Sequence, residues 1–217
     1  MAIPVLIIGK SGAGKSTSLR NCINNSKWGL IRVLNKPLPF KGKIGGIISD
    51  NYRVILGTLS KCKAKSIVID DAGYLITNTF MRSHSTAGAG NKVFNLYNNL
   101  ADEFWQMIQY IISLPADKIV YVIMHEDIDD YGNIKAKTIG KLLDEKVCIE
   151  GMFTIVLRAV HQQGTYKFVT QSEGGAISKS PIGLFDTEEI DNDLKAVDDK
   201  IRQYYEIVEV NTNEQAE

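Results

Sequence analysis

A short apolar run, Ile3–Ile8, breaks into Gly9-Lys10-Ser11-Gly12-Ala13-Gly14-Lys15-Ser16-Thr17, and a stretch able to continue as a helix follows to about residue 25. No other feature narrows the fold as far. An apolar run this short, without polar alternation, suits a strand covered on both faces, and such strands belong to parallel sheets flanked by helices. The segment fits G-x-x-x-x-G-K-[ST] and stands between a strand and a helix, where a loop of this kind wraps backbone N–H groups around phosphate oxygens. Gly9, Gly12 and Gly14 permit the tight path, and Ser11 and Ala13 add N–H groups. Lys15 would bring positive charge to β- and γ-phosphates, Ser16 a hydroxyl to Mg²⁺, and Thr17 a contact to the α-phosphate. The expected cofactors are ATP and Mg²⁺. The chain contains no Asn-Lys-x-Asp guanine-reading motif, which favours ATP over GTP.

A loop that holds a triphosphate needs an acid near its metal, and Ser66-Ile67-Val68-Ile69-Asp70-Asp71 supplies two at the end of a second buried strand. Asp70 is expected to hold a Mg²⁺-bound water. Asp71 either orients the attacking water or caps the helix that follows. His125 closes a third apolar strand, where it either senses the γ-phosphate or bonds to nearby backbone. Phosphoryl transfer to water needs positioning and charge neutralisation rather than covalent chemistry. The candidate catalytic set is therefore Lys15, Asp70, Asp71 and His125. Lys179, Arg158 and Arg82 are candidates for a cation inserted into a neighbouring subunit's site, though each taken singly reads more readily as a surface charge.

The remaining chain alternates strand-like and helix-like segments. Strands are expected at residues 30–34, 44–49, 66–69 and 118–124, helices at 52–62 and 93–114, and a hairpin at 152–160 with 166–171. Residues 76–92, rich in Ser, Thr, Asn and Gly, read as a mobile loop. Residues 187–208 read as a charged helix. The expectation is an α/β fold with a mainly parallel sheet, residues 1–186 forming one domain and 187–217 an acidic helical tail.

Charge is unevenly placed along a chain of 217 residues whose formal net charge is zero. Residues 1–65 hold twelve Lys or Arg against one acid, Asp50, whereas residues 187–217 hold ten acids against three bases. A polyanion would be drawn to the first part, and the tail could compete for the same surface. No run approaches a bilayer span, and the N-terminus lacks the basic and long apolar regions of a secretory signal, so a cytoplasmic location away from membranes is expected. Cys22, Cys62 and Cys148 are too few and too scattered for a disulfide framework or a metal pair and read as reduced thiols.

Taken together, residues 8–17, 34–40 with Lys36 and Pro39, 67–74, 122–126, 137–141 and 150–153 resemble a family of phage and prophage ATP-binding proteins. That family has a minimal RecA-like core and is related to phage single-strand annealing recombinases. The resemblance spans about residues 3–186. It implies a RecA-type sheet with the His125 strand between the Lys15-loop strand and the Asp70 strand. It further implies nucleotide bound between subunits of a homo-oligomer, and single-stranded DNA as partner. Residues 76–92 and 127–141 would be the DNA-binding loops, with Lys135, Lys137 and Lys141 on phosphates. The acidic tail would compete for DNA or dock a replication or recombination protein. Relatives of this kind keep a water-activating Glu on the strand before Asp70; only Asp50 is found there, so the base stays open between Asp50 and Asp71. A helicase loader, a packaging ATPase, a small-molecule kinase and a nucleotide switch with negligible turnover are the competing functions. The kinase is the weakest, because the chain has six Arg, none clustered as a lid would need.

Overall fold

The computed structural model describes residues 1–85, 91–139, 147–172, 175 and 177–207. The strands are β1 (Ile3–Ile8), β2 (Trp28–Arg32), β3 (Gly46–Ile48), β4 (Ser66–Asp70), β5 (Ile119–Ile123), β6 (Glu126–Ile128), β7 (Ile134–Ala136), β8 (Ile155–Gln162), β9 (Thr165–Val169) and β10 (Glu189–Asp191). Eight of them form one sheet in the order β10-β9-β8-β1-β5-β4-β2-β3, and β6 pairs with β7 apart from it. From β8 to β3 every pairing is parallel, while β9 and β10 add an antiparallel edge. The helices are α1 (Tyr52–Lys61), α2 (Gly73–Ser83), α3 (Asn91–Ser113) and α4 (Leu194–Tyr204), with 3₁₀ turns at Ser16–Cys22 and Glu150–Met152.

Both faces of the central strands are buried, which explains their unbroken apolar runs. Successive side chains point to opposite faces, so β1 divides itself between two cores. Leu6 and Ile8 join Ile67, Ile69, Val120 and Val122 beneath α1, α2 and α3, where Ile55, Leu75, Phe104 and Ile108 cover them. Val5 and Ile7 join Val68, Ile119 and Tyr121 beneath the 3₁₀ turn and α4, covered by Leu19, Leu194, Val197 and Ile201. Among the described residues no helix is long and apolar enough to cross a membrane.

Three local expectations are corrected. The helix expected over residues 15–25 is a 3₁₀ turn from Ser16 to Cys22 with extended backbone at Ile23. Its Ser-Thr-Ser start explains this, because hydroxyls compete for backbone groups, and Ser18 Oγ donates to the Lys15 carbonyl at 2.6 Å. The loop expected over 76–92 is helical as far as Ser83, and α3 begins at Asn91, with 86–90 outside the described residues. Two buried residues, Leu75 and Ile76, anchor α2, and Thr77 and Thr79 return their hydroxyls to carbonyls one turn back, so a polar composition still builds a helix. The hairpin expected near the C-terminus is β8–β9, but the stretch after it contains β10 paired with β9, and α4 is correspondingly shorter.

Residues 187–207, expected as a charged tail, pack into the same two-layer core; residues 208–217 lie outside the described residues. Asp193 caps α4 by accepting from the Lys195 and Ala196 amides. Asp198 is buried, accepting from Ser66 Oγ at 2.7 Å, Tyr121 Oη at 2.8 Å and Arg202 Nε at 2.7 Å. One carboxylate thus ties α4 to the start of β4 and the middle of β5. Asp198→Ala leaves two buried donors and a cation without their partner and is expected to cost about 3–5 kcal/mol in chemical denaturation. A loss within about 0.5 kcal/mol, the size of a surface change, would contradict this anchoring.

Candidate functional site

The parallel order places the C-terminal ends of β1, β5 and β4 side by side, so Gly9, His125 and Asp70 emerge on one edge of the sheet. Open parallel sheets bind ligands outside these strand ends. The segment from Gly9 to Ser16 turns there, with φ of +78° at Gly12 and +93° at Gly14. A Cβ at Gly9 would stand 2.7 Å from the Ala159 carbonyl oxygen, and one at Gly14 would stand 2.6 Å from the Tyr166 ring. Those contacts require glycine for steric reasons beyond backbone conformation. Because the following 3₁₀ turn is only seven residues long, attraction for an anion rests on loop amides and Lys15 rather than on a helix dipole.

Lys15 folds back over the start of its own loop. Its ammonium donates to the carbonyls of Gly9 at 2.7 Å and Lys10 at 2.8 Å, and lies 3.4 Å from His125 Nδ1. Burial pulls its pKa down to about 8, against the opposing pull of Asp71 and Asp70. Burial, and then the charge of Lys15, lower His125, which is accordingly neutral at pH 7. Accepting at Nδ1 leaves the ring hydrogen on Nε2, 3.7 Å from the Asp71 carboxylate.

Ser16 Oγ lies 3.0 Å from each oxygen of Asp70. Burial, then the neighbouring Asp71, push the Asp70 carboxyl up to about 6, with the Ser16 hydrogen bond partly offsetting them. Asp71 is also buried and adopts φ +60°, a left-handed conformation Asp tolerates better than most residues. Helix α2 has no side-chain cap, so the capping alternative for Asp71 is excluded. Its carboxylate instead holds the Lys36 ammonium and faces His125. Burial opposes the charge on Lys36, but its hydrogen bond and charge pairing with Asp71 prevail and raise its pKa.

Lys15, Ser16, Asp70, Asp71 and His125 are thus brought together, and Lys36 joins them. Ser11, Gly12 and Ala13 line an adjoining cleft of about 290 Å³ with Lys10, Glu126 and Arg158. Thr17 contributes its carbonyl to Arg20 at 3.4 Å. Asp50 stands elsewhere, held by Asn78 at 2.8 Å and Arg82 at 2.6 Å, so both it and Arg82 are engaged against α2. Lys179 bridges its backbone to Val156. Arg158, considered for a neighbouring subunit's site, lies in this chain's own cleft and pairs with Glu126. Lys36, Glu126 and Tyr166 were not singled out as site residues from sequence. Only the adjacency of Glu126 to His125 pointed toward one of them.

Among the described residues no cluster of three or more His, Cys, Asp or Glu side chains is arranged to hold a metal ion. Ser16 and Asp70 do present a hydroxyl and a carboxylate at one point, a hard-oxygen pair that fits Mg²⁺ if phosphates and water complete an octahedron. A larger hollow of about 480 Å³, lined by Trp28, Leu30, Lys43 and Lys63 among others, contains no carboxylate. No protein-family model matches the chain, and no curated protein matches it.

Asp70 binds its proton more tightly folded than unfolded, so the stability this confers is fully present below the ordinary carboxylate value of 3.8 and is lost as pH rises through about 6. Asp70→Asn is therefore expected to melt at higher temperature than the wild type at pH 7, the gap closing towards about pH 4, as read by thermal denaturation across pH. A lower melting temperature at pH 7 would contradict the burial cost assigned to this carboxylate.

Proposed function

We propose that this protein is a Mg²⁺-dependent ATPase of the P-loop class with a RecA-like sheet, acting on single-stranded DNA in recombination or replication. The observation that carries the nucleotide reading is the convergence of Ser16 and Asp70 beside Lys15, across strands β1, β5 and β4 in that order. Distant sequence segments supply a phosphate-loop lysine, a metal-directed hydroxyl and a strand-end carboxylate at one place. A bound triphosphate would replace the loop carbonyls as the partner of the Lys15 ammonium. Mg²⁺, when bound, would neutralise the β- and γ-phosphates and take the Ser16 hydroxyl into its shell, with Asp70 holding one of its waters.

Hydrolysis adds water to the γ-phosphorus and releases ADP and inorganic phosphate. Asp71, oriented by Lys36 and facing the Nε2–H of His125, is the carboxylate placed to position that water; Asp50, committed to Arg82 and Asn78, is not. The same Lys36 pairing favours a second reading, a switch that binds ATP with negligible turnover, because the ammonium occupies the carboxylate that would position the water.

One feature supports the DNA reading beyond the resemblance. The first 65 residues are strongly basic, which suits the sequence-independent attraction of a phosphate backbone. The β6–β7 hairpin follows directly on His125, and the Lys137 amide donates to the His125 carbonyl at 2.7 Å, but Glu126, Asp127, Asp129 and Asp130 outnumber Lys135 and Lys137 there, so this hairpin adds nothing to that attraction. Assembly into a homo-oligomer, docking of a replication protein through the acidic end and a cytoplasmic setting rest on the resemblance and the composition.

Phosphate release from ATP and Mg²⁺ is expected to rise when single-stranded DNA is added and to vanish in Lys15→Ala. A flat response with ATP binding intact would favour the switch or loader, and turnover unchanged in Lys15→Ala would sink the nucleotide reading. Since phosphate favours the charged ammonium, ATP affinity is also expected to fall as pH rises through about 8, the value of free Lys15, in titrations between about pH 7 and pH 9.5. Constant affinity over that range would contradict a direct Lys15 contact.

A further inference from the structure

We infer that Arg158 reads the terminal phosphate of the bound nucleotide within its own subunit, oriented for that contact by Glu126. The inference rests on the nucleotide reading above. Arg158 sits on β8 beside β1, in register with Ile8. Its guanidinium grips Glu126 twice, Nε to Oε2 at 2.8 Å and Nη2 to Oε1 at 3.1 Å.

The Glu126 side chain is 2% exposed and that of Arg158 is 22% exposed, so the acid is sealed in while the cation remains reachable. Glu126 is itself fixed to the loop, its amide donating to the Gly9 carbonyl at 3.2 Å. A buried carboxylate beside an anion site repels the ligand unless a cation is locked to it, and Arg158 supplies that cation. Two N–H groups on one edge of the guanidinium serve Glu126. A planar fork of this kind can hold a carboxylate on one side and offer its remaining donors to a phosphate on the other.

The position of Lys15 shows which phosphate is meant. Thr17, at the far end of the loop, is the residue assigned to the α-phosphate. The Lys15 ammonium instead reaches back onto the Gly9 and Lys10 carbonyls, and Lys10, Ser11, Gly12 and Ala13 form the wall of the cleft that Arg158 and Glu126 close. The end of the nucleotide that lies over this first half is the terminal one, and ADP would leave Arg158 without a partner there.

The test is calorimetric titration of ATP and of ADP, each with Mg²⁺, into wild type, Arg158→Ala, Arg158→Lys and the double variant Arg158→Ala/Glu126→Gln. The double variant keeps the cleft neutral, so its folding does not depend on the lost ion pair. ATP affinity is expected to fall about ten-fold or more in Arg158→Ala and in the double variant, as for a charge-assisted hydrogen bond, with ADP affinity unchanged. Lys is expected not to restore it, because an ammonium cannot hold both partners in the fork. An equal loss for ATP and ADP, or no loss of either in a folded double variant, would overturn the assignment. Failure of the wild type to bind either nucleotide would overturn the underlying reading instead, and that failure is seen before any variant is compared.

Discussion

Two adjacent carboxylates, Asp70 and Asp71, are buried at the end of β4, and the edge of the sheet is organised around containing them. Burial, then the charge of the neighbouring Asp71, hold the Asp70 carboxyl up to about 6. Each is answered from a different part of the chain: Ser16 from the glycine loop onto Asp70, Lys36 from the segment after β2 onto Asp71, and His125 from β5 facing Asp71. Lys15, itself depressed by burial, completes the set through charge. Such a concentration of shifted groups at one cleft is costly to a fold and is characteristic of a site that works on a charged ligand. Lys15, Lys36, Asp70 and Asp71 each have a protein partner within this cluster.

The strand order makes that concentration available. Placing β5 between β1 and β4 brings three loop segments, far apart along the chain, to neighbouring strand ends. The two-faced burial of those strands keeps the ends rigid. Helix α4, fastened by Asp198 to Ser66 at the start of β4 and to Tyr121 in the middle of β5, closes the core on the face that also carries the 3₁₀ turn. Ser66 and Asp70 stand at opposite ends of β4, so this anchor and the candidate site meet the same strand at different ends.

Much of this was legible along the chain wherever the signal was local. The runs at β1, β4 and β5 read as buried strands because both faces are covered, and the glycine loop and Asp70 followed from their positions at strand ends. The resemblance also implied the interposed β5, which the strand order shows. What stayed hidden depended on contacts between distant segments. The Ser-Thr-Ser start of the 3₁₀ turn looks helical until its hydroxyls bond to the backbone. Helix α2 looks like a loop because only Leu75 and Ile76 need a core. The acids of residues 187–207 look like a solvated tail, yet Asp198 is committed to three buried donors. Lys36 and Glu126 carry no local mark of their roles, since pairing with Asp71 and Arg158 arises only when the sheet assembles.

The claim on which the rest turns is that Lys15, Ser16 and Asp70 form one binding site for a nucleoside triphosphate and its Mg²⁺. Calorimetric titration of ATP into wild type and Ser16→Ala, each with Mg²⁺ and with a chelator, measures this directly. ATP is expected to bind the wild type more tightly with Mg²⁺ than without, and Ser16→Ala is expected to lose that enhancement while keeping its metal-free affinity. No ATP binding by the wild type, or an enhancement that survives intact in Ser16→Ala, would contradict it.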